Sequence, residues 1–249
     1  MLQRWIDARL VLPTVAAVLV LAVLIGLGTW QLQRKAWKEG IVARIASRVT
    51  APPVPLAEVT SRLGPNADVE YTHVTANGRF HHDKERYLYA PSSKSGLEWH
   101  VLTPLETAPG HIVWVNRGSV PDARRAPQAR AEGQVPGTVS VAGLVRQPHA
   151  ATFTPTNDVA RNIWHWADID GLTRSAFSAG EVKAANVVIE QDAVPPVPGG
   201  LPQGGVTRLS IPNRHLEYAV TWYGLALTLV GVFVAFAAKR LREEAGATA

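Results

Sequence analysis

The residues best placed to do chemistry in this 249-residue chain meet at one point, Asn213-Arg214-His215-Leu216-Glu217-Tyr218, where a long uncharged apolar run begins. A neutral imidazole is a metal ligand. On a 3.6-residue period His215, Tyr218, Ala219, Trp222, Ala226, Leu229 and Phe233 share one helix face. That face opens with a ligand and continues as a groove of aromatic and small side chains, a shape suited to a flat apolar macrocycle such as haem with His215 on its iron. A second account fits the same spacing. His, Tyr and Trp anchor helices at a membrane–water interface, and small residues let two spans approach closely.

The elements that must position these residues are two uncharged runs, 10–30 and 218–238, each long enough to cross the ~30 Å hydrocarbon core of a bilayer. The expected fold class is therefore a membrane hairpin of two transmembrane helices carrying a β-rich (α+β) extramembrane domain, an antiparallel sheet or small barrel. The expected segments are a tail over 1–9, a span over 10–30, a helical extension over 31–49, the β-rich domain over 50–212, a second span over 213–238 and a tail over 239–249. The first run is about twice the length of a signal-peptide core, so it reads as an anchor.

Beyond the first span, Trp37, Ile41, Ile45 and Val49 keep helical spacing until Thr50-Ala51-Pro52-Pro53-Val54-Pro55 ends it. One helix over 10–49 would measure about 60 Å at 1.5 Å per residue. Asn213, following Pro212, is expected to cap the second helix. Between the helices, period-two patterns bounded by Gly, Pro, Asn or Asp predict strands over 71–80, 86–90, 97–105, 111–116, 139–146, 163–167 and 187–190. A single short helix is expected over 167–178, and a Pro/Gly-rich loop over 195–205.

Composition narrows the chemistry. There is no cysteine and Met1 is the only methionine, so disulfides, iron–sulfur clusters and soft copper(I) sites are excluded. The net charge of +5 comes from scattered basic residues with no long run, which argues against nucleic acid as a partner. Arg4 and Arg9 in one tail, with Lys239, Arg240 and Arg242 in the other, place both termini in the cytoplasm and the domain outside; Arg34, Lys35 and Lys38 oppose this. Only nine residues precede the first span, with no Arg- and Ser-rich leader, which points to a bacterial inner membrane. No nucleophile elbow, phosphate loop or paired-carboxylate motif is present, so no enzyme activity is expected. His81-His82-Asp83 has the residue types of a metal site, but neighbours on a strand point apart. Glu98-Trp99-His100 and Trp164-His165-Trp166 read as alternating strands for the same reason.

Four blocks then resemble a known family. Leu27-Gly28-Thr29-Trp30-Gln31-Leu32-Gln33-Arg34-Lys35-Ala36-Trp37-Lys38 is similar to the first-span exit of the surfeit locus family of cytochrome c oxidase assembly proteins. Gly78-Arg79-Phe80 with Glu85-Arg86-Tyr87-Leu88, then Val113-Trp114-Val115-Asn116-Arg117-Gly118-Ser119-Val120-Pro121, then Asn213-Arg214-His215-Leu216-Glu217-Tyr218-Ala219-Val220-Thr221-Trp222-Tyr223-Gly224 follow in the family's order. The resemblance implies an inner-membrane factor that binds haem a transiently and assists its insertion into the oxidase catalytic subunit. It carries the iron ligand onto His215 and an accompanying aromatic onto Trp222. Tyr218 would flank the site, and Arg34 or Arg214 would pair with propionates; interfacial snorkelling is the other reading of Arg34. Asn116, Arg117 and Gly118 are expected to dock partners, among them the oxidase catalytic subunit and haem a synthase. The alternative function is a haem-free scaffold that stabilises the oxidase core subunit.

Overall fold

The computed structural model describes residues 6, 9–64, 67–91, 96–150, 152–207 and 212–247, the last two by backbone only. Arg4, counted above in the N-terminal tail, lies outside the described residues. In chain order the elements are α1 (Val11–Val49), β1 (Val54–Pro55), α2 (Leu56–Thr60), β2 (His73–Phe80), β3 (Arg86–Tyr89), β4 (Glu98–Ala108), β5 (His111–Pro121), β6 (Thr138–Arg146), β7 (Ile163–Trp164), α3 (Ile169–Ala176), β8 (Lys183–Gln191) and α4 (His215–Ala247). They divide into two units, residues 1–44 with 210–249, and residues 45–209.

The first unit is the helix pair, and both helices are long and apolar enough to cross a membrane. Pro13 sits in the first turn of α1, where its missing N–H leaves no carbonyl unserved. Helix α4 runs past the expected span through Lys239, Arg240 and Arg242 to Ala247, so that tail is helical. The helices are antiparallel: Gln31 meets His215 while Leu10 packs on Ala237. Gly28 is the buried position of α1, and a Cβ there would stand 2.8 Å from the Tyr223 ring, so the missing side chain is what admits the tyrosine.

The second unit is a closed five-stranded barrel, β2-β6-β8-β5-β4, sealed by β2 pairing with β4 at Arg79↔Glu106 and Phe80↔Leu105. Closure depends on Gly78, where a Cβ would lie 2.4 Å from the Glu106 carbonyl oxygen. Strand β5 is buried on both faces. Val113 and Val115 point into the barrel with Val74, Leu105 and Ile189, whereas Ile112 and Trp114 point outward beneath α3, which contributes Ile169 and Leu172. The barrel is not wholly antiparallel, because β5 runs parallel to β8. The long connection between them runs through β6 and β7, and α3 is its last element before β8. β1 adds parallel to β2, and β7 parallel to β3. Helix α2 is a second short helix where one was expected; it places Leu56 and Val59 on the barrel core.

One polar group lies deep in this unit. Glu85 is 4% exposed and accepts from both terminal nitrogens of Arg130, with Arg117 at 3.6 Å. Burial raises the pKa of this carboxyl, but hydrogen bonding to His82 and Arg130 and the charges of Arg130 and Arg117 outweigh that and leave it below its ordinary value. Arg117 in turn donates to the Gly133 carbonyl at 2.5 Å and lies over the Phe80 ring. Burial lowers its pKa to about 10, against the attraction of Glu85.

Glu85→Gln is expected to cost about 3 kcal/mol, because it leaves two buried guanidiniums without a counter-charge. A carboxyl held below its ordinary pKa of 4.5 stabilises the fold fully above that pH, and the contribution is lost as pH falls through the lower folded value. Thermal melts of the full-length protein in detergent should show the variant's deficit at pH 7 and its shrinkage below pH 4. Gly78→Ala should lower the same melting temperature, since a backbone carbonyl must move to admit the methyl; no loss would mean the barrel closes elsewhere.

Candidate functional site

The head of α4 is built by its local sequence. Pro212 precedes the helix, and the first helical bond runs from the Tyr218 N–H to the Arg214 carbonyl at 3.3 Å. Arg214 donates to Glu217 through Nε at 2.9 Å and Nη2 at 2.8 Å, the charge pair that steadies the first turn. The expected Asn213 cap does not form: its Oδ1 is buried and has no hydrogen-bond partner among the described residues. Lys38 of α1 donates instead to the Pro212 carbonyl, fastening the entry of α4 to the neighbouring helix.

The first residue of α4 is His215, half-buried, with Nδ1 2.7 Å from Oε1 of Gln31. An amide oxygen only accepts, so Nδ1 is the donor and carries the proton. In a neutral ring the lone pair then sits on Nε2, on the opposite side of the imidazole. This is the tautomer in which one ring nitrogen is oriented by the protein and the other is open to a metal. Below this pair, the Thr29 hydroxyl meets the Tyr223 hydroxyl at 3.1 Å.

The face of α4 turned to α1 is His215, Ala219, Trp222, Ala226, Leu229, Phe233 and Ala237. Ala219, Ala226 and Ala237 are buried and the larger residues half-buried. The small-residue groove read from the sequence is therefore occupied along much of its length by α1. Tyr218 is not part of that face; it is 53% exposed, on the outer flank of the first turn. His215 and Trp222, two turns apart, are the expected site residues that the fold does align. Arg34 stacks on Trp37 at 3.8 Å, and Arg214 is held by Glu217, so both cations already have partners on their own helices.

The expected docking residues are placed differently. Asn116 and Arg117 are 2% and 1% exposed, and Gly118 is buried with a φ of +118°. Asn116 accepts from the Gly118 N–H at 3.2 Å and donates to His100; Arg117 is committed to Glu85 and Gly133. A Cβ on Gly118 would strike the Gln203 carbonyl, whose residue pairs with Ser119. This block braces the inside of the unit and offers no side chain for a partner to touch. His81 and His82 also part company: His81 faces Glu106, and His82 lies 3.1 Å from the Val135 carbonyl. No metal-binding cluster of three or more His, Asp or Glu side chains occurs among the described residues.

Gln31 is the site residue that the sequence did not single out. The signal was present: Leu24, Gly28, Gln31 and Lys35 form the α1 stripe turned toward α4, and a carboxamide there needs a partner on the opposing helix.

Comparison with known proteins takes in most of α1, the barrel and the start of α4. The chain matches the SURF1 family over residues 18–227. It is 38% identical over 220 residues to Surfeit locus protein 1 of Homo sapiens, spanning 81% of this chain and 69% of that protein. Identity to Surfeit locus protein 1 of Takifugu rubripes is 36% over 224 residues, spanning 83% and 89% of the two chains. A SURF1-like protein of Drosophila melanogaster is 34% identical over 226 residues, spanning 84% and 72%. With most of α1, the barrel, the head of α4 and all four sequence blocks inside the matched region, the chain belongs to the SURF1 family.

Proposed function

We propose that this protein is a cytochrome c oxidase biogenesis factor that binds haem a transiently through His215 and assists its insertion into the oxidase catalytic subunit. The observation that carries this reading is the tethered imidazole at the head of α4, with Nδ1 engaged by Gln31 and Nε2 left for iron. The residues present fit the group: one oriented imidazole as ligand and, two turns away, the flat apolar indole of Trp222. Haem supplies the iron and the flat apolar surface; the protein supplies a single side-chain ligand, and single ligation suits a carrier that must release its cargo. The reading is of a carrier and not an enzyme.

The same reading places the chain in the inner membrane with both termini cytoplasmic and the barrel periplasmic. Arg9 precedes α1, and Lys239, Arg240 and Arg242 follow the apolar part of α4, which supports that orientation. Its partners are the bilayer, the oxidase catalytic subunit and haem a synthase as the source of haem a.

One observation favours a second reading, a scaffold that stabilises the open oxidase subunit and carries no haem. The α1 helix already covers Ala219 and Ala226, on either side of Trp222, so a macrocycle fits between the helices only after the pair opens. The two readings part on the imidazole, which a scaffold does not need.

Protein purified in detergent from cells that make haem a should show a stoichiometric haem spectrum that His215→Ala removes, with the variant still folded by its melting profile. Haem-free wild type that still co-purifies with the catalytic subunit would leave the scaffold.

A further inference from the structure

We infer that Gln31, on the first helix, is a positioning residue that fixes the tautomer and ring orientation of His215. The inference rests on the proposed ligation of haem by His215 and adds to it a role for the opposite helix. Its geometric basis is the 2.7 Å contact between Gln31 Oε1 and His215 Nδ1, part of a polar ladder that also includes Thr29 with Tyr223. Two further features make the contact a built one. Gln31 lies on the α1 stripe that faces α4, one turn beyond the buried Gly28, so its side chain enters the interface instead of trailing into solvent. Lys38, two turns further along α1, donates to the Pro212 carbonyl, which fixes the start of α4 and hence the height of His215 against Gln31.

The chemistry follows from what an amide oxygen can do. Unaided, imidazole in water exchanges between its two neutral tautomers; an acceptor held at Nδ1 selects the form with its lone pair on Nε2. The same acceptor polarises the N–H bond and makes the ring a stronger donor to a metal at Nε2. Iron(III) gains more from that donation than iron(II), so the acceptor's strength tunes the midpoint potential of any haem held there. Ligand and orienting group sit on different helices, so separating the helices would release both constraints together. A carrier can discharge its cargo by that motion without any change in the ligand itself.

The test uses the full-length protein in detergent, ¹⁵N-labelled at histidine, with ferric haem b as the probe. In the haem-free wild type, the His215 resonances, identified by their loss in His215→Ala, should report the Nδ1–H tautomer. Gln31→Leu should shift them toward Nε2–H and weaken haem binding about 10- to 100-fold. Gln31→Glu keeps an acceptor of the same length, so it should retain the tautomer and the affinity while lowering the midpoint potential. It also guards against a leucine variant that fails to fold. If His215→Ala abolishes stoichiometric binding while both Gln31 variants keep wild-type tautomer, affinity and potential, the positioning role is overturned and ligation by His215 stands. Binding by His215→Ala equal to wild type overturns the ligation itself, and the role of Gln31 with it.

Discussion

A single carboxylate organises the extramembrane unit. Glu85 is enclosed with two guanidiniums, and the segments that supply the three charges are otherwise far apart in the chain: the turn before β3, the middle of β5, and the irregular helical stretch Pro127–Gly133. None of these charges could be buried alone, since an isolated ion in a low-dielectric interior carries a desolvation penalty of several kcal/mol. Together they become tolerable, and the fold has to deliver them to one place. Asn162 adds its side-chain amide to the Glu85 carbonyl at 3.1 Å, and Arg130 also bonds the Arg125 carbonyl, so loops of little regular structure are held by this cluster.

The helix pair answers a different constraint. Its partners are apolar on nearly every side, so burial of hydrocarbon does not distinguish one arrangement of the helices from another. What distinguishes them is close approach at Gly28 and the few polar groups at the interface: Gln31 with His215, Thr29 with Tyr223, and Lys38 with Pro212. The barrel is specified by an ion cluster inside an apolar core; the helices are specified by hydrogen bonds at one end of an apolar seam.

Much of this could be read from residue order. The two apolar helices follow from runs without charge, and the strand positions from period-two patterns, because both depend on neighbours close in sequence. Barrel closure was named only as one of two options. It turns on Gly78 meeting the Glu106 carbonyl, a contact between positions that no local pattern links. The parallel pairing of β5 with β8 was hidden for the same reason, since adjacent strands most readily suggest hairpins. Asn116-Arg117-Gly118 misled because polar residues in a signature block read as a surface, whereas the counter-charge that draws Arg117 inward sits on Glu85, in another part of the sequence. The alignment of His215 and Trp222 on one face of α4 follows from helical spacing. Tyr218, which the same period puts on the face of His215, is 53% exposed at its edge, because a 3.6-residue period leaves the edges of a face undefined.

The stripe by which α1 faces α4, Thr14, Ala17, Leu21, Leu24, Gly28, Gln31, Lys35 and Lys38, advances by alternating steps of three and four residues. That is a 3.5-residue repeat, which winds two helices around each other with a left-handed twist. A twisted apolar seam of this kind has several nearly equivalent ways to slide, each displaced by one turn, or about 5.4 Å. Only one of them brings the carboxamide of Gln31 to the imidazole of His215. The same bond that orients the histidine therefore also acts as a vernier mark, setting how far along each other the two helices come to rest.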